Sequence, residues 1–255
     1  MLTRSAIDVG EVEAARKVYS VIRHINLAGG GGLEAHERVS LLTVAAGLRS
    51  FCLLTHIREE EFPLVTAALP VVGLTCRVCK ASFNYDLDVD APPEVLEAFR
   101  AYEARHPLYG LGVANSRVDF GETPLGTVLG YPKCCSEMDD KTKAFDRSAT
   151  LRLLIDSKDG DYAALVAELV REHTTIPTPP TDRREAWDRR FDRTHDVFPF
   201  AVHTACDQCL EAGSKSPSDL LSRRYEAMVR VAAPDLYDFV LRQNDIFRQT
   251  SKFPV

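Results

Sequence analysis

The chain lacks any long apolar run. The longest, residues 64–74, is broken by Pro70 and Gly73, well short of the roughly 20 apolar residues needed to span a bilayer. Residues 1–20 carry charges throughout, with no stretch resembling a signal peptide. A cytoplasmic protein without a membrane partner is therefore expected, in a compartment that keeps thiols reduced. An excess of positive charge is also missing. The 31 Lys and Arg against 37 Asp and Glu leave a net charge of −6, the wrong sign for a nucleic-acid or anionic-membrane surface. The one basic cluster, Arg183, Arg184, Arg189, Arg190 and Arg193, is interleaved with Asp182, Glu185, Asp188 and Asp192, the pattern of a solvated helix face.

Familiar catalytic signatures are absent as well. There is no Ser-centred nucleophile elbow and no His-Glu-x-x-His pair. The glycine run at 29–32 lacks the Lys-Ser/Thr of a phosphate loop and reads as a turn. Asp86, Asp88 and Asp90 alternate, but no glycine and glutamate follow at calcium-loop spacing. No internal repeat is visible.

Cysteine, by contrast, is patterned. Six of the seven fall into close pairs: Cys76/Cys79, Cys134/Cys135 and Cys206/Cys209, with His203 three residues before the last pair. In a reducing compartment such pairs point to metal or redox chemistry. Cys52, alone in an apolar segment, reads as a small buried hydrophobe.

Between the pairs the chain reads as helix-rich α+β. Helical spacing of apolar residues marks 12–25, 33–48, 94–105 and 162–173. Short strands are expected at 51–57, 83–89, 111–120 and 151–155, with 62–69 ambiguous. A short helix is expected at 123–130 and another at 187–193. The last helix should start at a Ser216-Pro217-Ser218 cap and break at Pro234. Pro177, Pro179 and Pro180 make 174–181 the best linker. The expectation is one domain over 1–255, with a sub-boundary at that linker, a small mixed sheet, and a metal site in the joints between elements.

The central motif is Gly130-Tyr131-Pro132-Lys133-Cys134-Cys135. Pro132 biases Tyr131 toward an extended conformation, and Gly130 permits a sharp turn. On an extended backbone, adjacent side chains point to opposite faces, so both thiolates reach one small ion only with distortion. A larger multi-iron cluster can take them at two corners. This resembles the tandem-cysteine ligation of the quinone-side cluster of respiratory complex I. The alternatives are that only one cysteine ligates, or that the second is a redox or nucleophilic thiol.

The companion stretch, Phe198-Pro199-Phe200 through His203 to Cys206-x-x-Cys209, reads as a strand, a loop and a helix start. There His203 could be a ligand, a general acid, a hydrogen-bond donor to a sulfur, or a packed core histidine. Glu137 and Asp139, just after the tandem pair, could supply a general base or merely cap a helix. Cys76 and Cys79 before an expected strand have the shape of half a zinc knuckle. They could form a separate site or join the main one.

The combination of Gly-Tyr-Pro-x-Cys-Cys with a later Phe-Pro-Phe, His-x-x-Cys-x-x-Cys and Ser-Pro-Ser resembles an uncharacterised prokaryotic domain-of-unknown-function family, over about residues 125–225. The resemblance implies that Cys134, Cys135, His203, Cys206 and Cys209 form one site. It does not extend to Cys76 and Cys79.

Three functional readings follow. In the first, favoured by the adjacent cysteines, Cys134, Cys135, Cys206 and Cys209 hold a [4Fe–4S] iron–sulfur cluster. If only three of these ligate, the fourth iron is open and supports lyase, dehydration or sulfur-transfer chemistry on a small molecule. In the second, the two Cys-x-x-Cys pairs, Cys76/Cys79 and Cys206/Cys209, or a Cys/Cys/His set hold zinc, structurally or with an open position for hydrolysis. In the third, the protein is a non-catalytic binding protein whose cysteines staple loops.

Overall fold

The computed structural model describes residues 8–25, 33–55, 57–81, 86–105, 108–115, 129–171 and 181–250. The expected features at 29–32, 83–85, 116–120, 123–128 and 174–180 lie outside them. The architecture is helix-rich α+β, with a small three-stranded sheet in the order β1-β3-β2. In chain order the main elements are α1 (Val9–Ile22), α2 (Ala35–Ala45), β1 (Phe51–Leu54), α3 (Phe62–Ala68), β2 (Thr75–Ala81), α4 (Pro93–Arg105) and β3 (Leu108–Ala114). There follow α5 (Lys133–Asp156), α6 (Tyr162–Leu169), α7 (Thr181–Val197), α8 (Asp207–Ala212), α9 (Pro217–Ala232) and α10 (Pro234–Thr250).

The chain divides into two compact units. One comprises Met1–Cys79, Tyr109–Ser136 and Arg189–Val255, and the other Lys80–Leu108 and Glu137–Asp188. In the first unit α1 starts at a capping box: Asp8 accepts from the Gly10 amide at 2.6 Å, and Glu11 reaches back to the Asp8 amide. Its buried residues Val12, Ala15, Val18, Tyr19 and Ile22 form the stripe that the sequence spacing predicts. They join one core with Leu41 and Leu42 of α2, Leu54 of β1, and Tyr225, Met228 and Val229 of α9. Ser216 caps α9 by accepting from the Asp219 amide at 3.0 Å, and the helix stops before Pro234, where α10 begins.

In the sheet, β1 and β3 are antiparallel, with Leu53 opposite Gly112 and Cys52 opposite Val113. Gly112 is a close-approach position. A Cβ there would stand 2.5 Å from Cys79 Sγ and 2.7 Å from Phe51 Cε2, below any tolerable contact.

The second unit has its own core, built from Val95 and Phe99 of α4, Leu151 and Leu154 of α5, and Leu165 and Leu169 of α6. The Arg147 guanidinium meets the Glu103 carboxylate at 2.9 Å, while burial raises the Glu103 carboxyl.

Several sequence expectations are corrected; the stretch from Phe198, read as a strand, consists of turns and bends. Residues 151–155 are not a strand but the last turns of α5, where Leu151 and Leu154 share the buried face at helical spacing. Residues 86–90 form no strand. Leu87 and Val89 do pack on the second core, so the alternation reports burial without a sheet partner. The Cys76/Cys79 segment is no knuckle loop but part of β2.

Gly112→Ala is expected to destabilise the protein by about 1–3 kcal/mol through overpacking, measured by urea unfolding. Restoration of stability by a second change, Cys79→Ala, would identify the sulfur as the clashing group.

Candidate metal centre

The tandem cysteines sit in the first turn of a helix. Gly130 takes φ +70°, open to glycine without strain, and delivers Tyr131 and Pro132 to the start of α5. The Pro132 carbonyl accepts from the Cys135 and Ser136 amides at 2.9 and 3.0 Å, closing that turn. Side chains on a helix lean back toward its N-terminus, so adjacent cysteines in the first turn can both present sulfur over the helix start. This corrects the extended geometry expected from the sequence.

Cys206 and Cys209 approach from a second helix start. Cys206 is the N-cap of α8 and Cys209 lies in its first turn, the spacing at which a cap side chain folds over the third helical residue. The Arg190 guanidinium grips Asp207 with Nε and Nη2 at 3.3 and 3.1 Å. Buried Thr194 accepts from the Ala205 amide at 3.0 Å while donating to the Arg190 carbonyl at 2.8 Å. The loop is thereby fixed to α7.

Four sulfurs converge. Cys134 Sγ lies 4.0 Å from Cys135 Sγ and 3.6 Å from Cys209 Sγ, and Cys135 and Cys209 are 3.7 Å apart. All four sulfurs, Cys206 included, lie within 4.8 Å of one another, a group able to hold a metal ion. Cys135, Cys206 and Cys209 are buried, and Cys134 is half-buried. Burial and the neighbouring thiols push Cys134 up to about 11, and burial pushes Cys135 up as well. At Cys209 burial also acts upward, but hydrogen bonds from Ser218 and contacts with Cys134 and Cys135 outweigh it and lower the thiol. Burial alone thus favours neutral thiols, and a cation among them is what makes four thiolates tenable at neutral pH.

Behind the sulfurs runs a polar chain. The Cys206 amide donates to Cys135 Sγ at 3.4 Å, and Ser218 Oγ lies 3.3 Å from the same sulfur. Ser218 Oγ is also 2.9 Å from His203 Nε2. When Ser218 donates to a Cys135 thiolate, its oxygen accepts from His203 Nε2–H, which fixes the tautomer. His203 Nδ1 is then a buried acceptor without a hydrogen-bond partner. The ring rests against Tyr131 at 5.2 Å between centroids, and the Arg49 guanidinium stands 5.4 Å over Tyr131. Arg49 is buried and donates through Nε to the Leu129 carbonyl at 2.8 Å. Burial, with the positive charge of Arg49, lowers the His203 imidazole to about 3, so it is neutral at physiological pH.

The sequence candidates separate accordingly. Cys134, Cys135, Cys206 and Cys209 come together; His203 supports them through Ser218 and is not in the four-sulfur group. Glu137 is exposed and Asp139 pairs with Lys143 at 2.5 Å; neither carboxylate belongs to the group. Cys76 and Cys79 are three apart on β2 and so face opposite ways. Cys76 packs on the main core of the first unit, and Cys79 on a smaller cluster with Phe51, Ala114 and Leu129. Among the described residues they join no group of potential ligands. Cys52 is buried as expected, its thiol pushed up to about 12 by burial. Sequence reasoning missed Ser218, Tyr131 and Arg49. The second serine of Ser-Pro-Ser and the tyrosine of Gly-Tyr-Pro were the available signals; Arg49 carried none.

No family model, curated protein or solved structure matches the chain. What the centre does is read from its own residues.

Two outcomes are expected. Ser218→Ala should weaken metal binding about 10–100-fold while leaving its stoichiometry intact, measured by competition with a chromophoric chelator. His203 is neutral in the fold and charges more readily when unfolded. Its contribution to stability is complete above about 6.5 and is lost as pH falls toward about 3. Its imidazole resonance in NMR should stay flat from about pH 8 to pH 5.

Proposed function

We propose that the protein binds zinc, with Cys134, Cys135, Cys206 and Cys209 closing around one tetrahedral Zn²⁺ in a structural role. The sulfur separations carry this reading. Four thiolates about 2.3 Å from one tetrahedral ion stand about 3.8 Å apart by geometry; the separations among Cys134, Cys135 and Cys209, 3.6–4.0 Å, bracket that value, and Cys206 Sγ lies within 4.8 Å of each. A [4Fe–4S] cluster gives each thiolate its own iron at a corner of a cube, and so calls for a wider spread. The tandem pair favours a cluster only on an extended backbone. In the first turn of α5 it supports a single ion equally well.

Four thiolates leave no coordination position for a substrate, which supports a structural rather than a hydrolytic ion. Such an ion would fasten the start of α5 to residues 198–209, a stretch held mainly by turns and side-chain bonds. The Ser218 and Cys206 donors to Cys135 supply the hydrogen bonding that stabilises a buried thiolate. The enzyme reading, with His203, Glu137 or Asp139 acting on a substrate at the metal, has less support. His203 is occupied with Ser218, and neither carboxylate lies among the sulfurs.

Metal and acid-labile sulfide analysis of anaerobically purified protein is expected to find about one zinc per chain and no sulfide. Cys209→Ala should lose the zinc and lower the melting temperature, because metal binding is coupled to folding. Iron with equimolar sulfide, lost in the same variant, would establish the cluster enzyme instead. Protein without bound metal would overturn both.

A further inference from the structure

We infer that a cavity of about 420 Å³ in the first unit, between α2, the end of α7, the Phe198-Pro199-Phe200 stretch and α10, binds a small molecule with an apolar body and one carboxylate. The inference does not depend on the identity of the metal. The volume falls within the range of small-molecule sites, and the lining has their usual make-up, mostly apolar with a few placed polar groups.

The apolar wall is pre-formed. Val39, Phe200 and Val240 line it and are buried, while Phe239 stands 38% exposed at its edge. Phe200 is held in place by stacking on Tyr237, at 5.4 Å and 11°, and by its amide donating to Ser222 Oγ at 3.2 Å. The Phe-Pro-Phe motif, which the metal centre leaves unexplained, thus forms one side of the cavity. Asn244, also buried, closes another part by donating to the Pro199 carbonyl at 3.5 Å.

The charges in the lining select the ligand. Glu34 lies 3.3 Å from His36, and Asp192 acts electrostatically on His195, whose Nδ1 is 2.9 Å from the Phe191 carbonyl. Glu34 thus has His36 beside it, while burial lowers His195 and keeps it neutral beside Asp192. Arg38 differs. Its Nε donates to the Leu33 carbonyl at 2.7 Å, which pins the guanidinium to the wall, and no carboxylate among the described residues pairs with it. A guanidinium pinned through Nε, with no carboxylate partner among the described residues, can offer its Nη groups as a fork for a planar carboxylate. A multiply charged anion such as a phosphate ester would bring more negative charge toward Glu34 and Asp192 than one arginine offsets. An uncharged ligand would bring no opposite charge to the guanidinium.

The test uses metal-loaded full-length protein and titrates 3-phenylpropionate and its amide by isothermal calorimetry, with two-dimensional NMR to locate the site. Saturable one-site binding is expected, with the acid at least about tenfold tighter than the amide. Arg38→Gln should erase that preference while Arg38→Lys keeps part of it, and Ala35→Trp, which fills the cavity, should abolish binding of both. Metal content and circular dichroism serve as controls for folding. Equal affinity for acid and amide, or an acid preference that survives Arg38→Gln, would overturn the carboxylate assignment. Absence of saturable binding, or binding that survives Ala35→Trp, would overturn the cavity as a ligand site.

Discussion

Four sulfurs gathered in a largely buried space are the constraint on which the rest of the first unit turns. A buried thiol prefers to stay protonated, and four mutually close thiolates without a counter-charge repel one another in a medium of low dielectric. A divalent cation reverses both terms and converts a frustrated cluster into a fastening. The contacts around the cluster have that purpose in common: Gly130 and Pro132 turn the chain into α5, and Arg190–Asp207 and Thr194 hold the loop that ends in α8. The positive end of α5 lies where the sulfur charge concentrates, which adds to the same balance.

The residues behind the sulfurs form part of the same arrangement. Cys135 receives a backbone amide and lies within reach of a hydroxyl, and that hydroxyl is itself oriented by a neutral histidine. A neutral imidazole carries one proton, and the Ser218 contact decides which nitrogen holds it. Arg49 and Tyr131 stack beyond it and keep positive charge close to the ring, which discourages protonation. Protonation at Nδ1 would bury a positive charge beside Arg49 without a hydrogen-bond partner. The chemistry of the ligands is thus coupled to a residue as distant in sequence as Arg49.

The sequence made the ligands legible because close cysteine pairs are rare and their spacing carries geometric meaning. It misled about the backbone beneath them. Pro132 reads equally as the end of an extended segment or as the residue before a helix; in the fold its carbonyl accepts from the Cys135 and Ser136 amides and opens α5. Similarly, Cys-x-x-Cys converges at a helix start, as in Cys206 and Cys209, but diverges on a strand, as in Cys76 and Cys79. The motif alone does not distinguish the two. The helices of the first unit were readable from their amphipathic stripes and caps, since local chemistry sets both. Ser218 and Arg49 were not, because their roles come from tertiary neighbours that no local pattern encodes.

X-ray absorption at the edge of the bound metal counts the sulfurs around it and so tests directly whether all four cysteines share one ion. A single shell of four sulfurs at about 2.3 Å with zinc as the absorber is expected. A short metal–metal distance, or a shell containing nitrogen or oxygen in place of one sulfur, would contradict it.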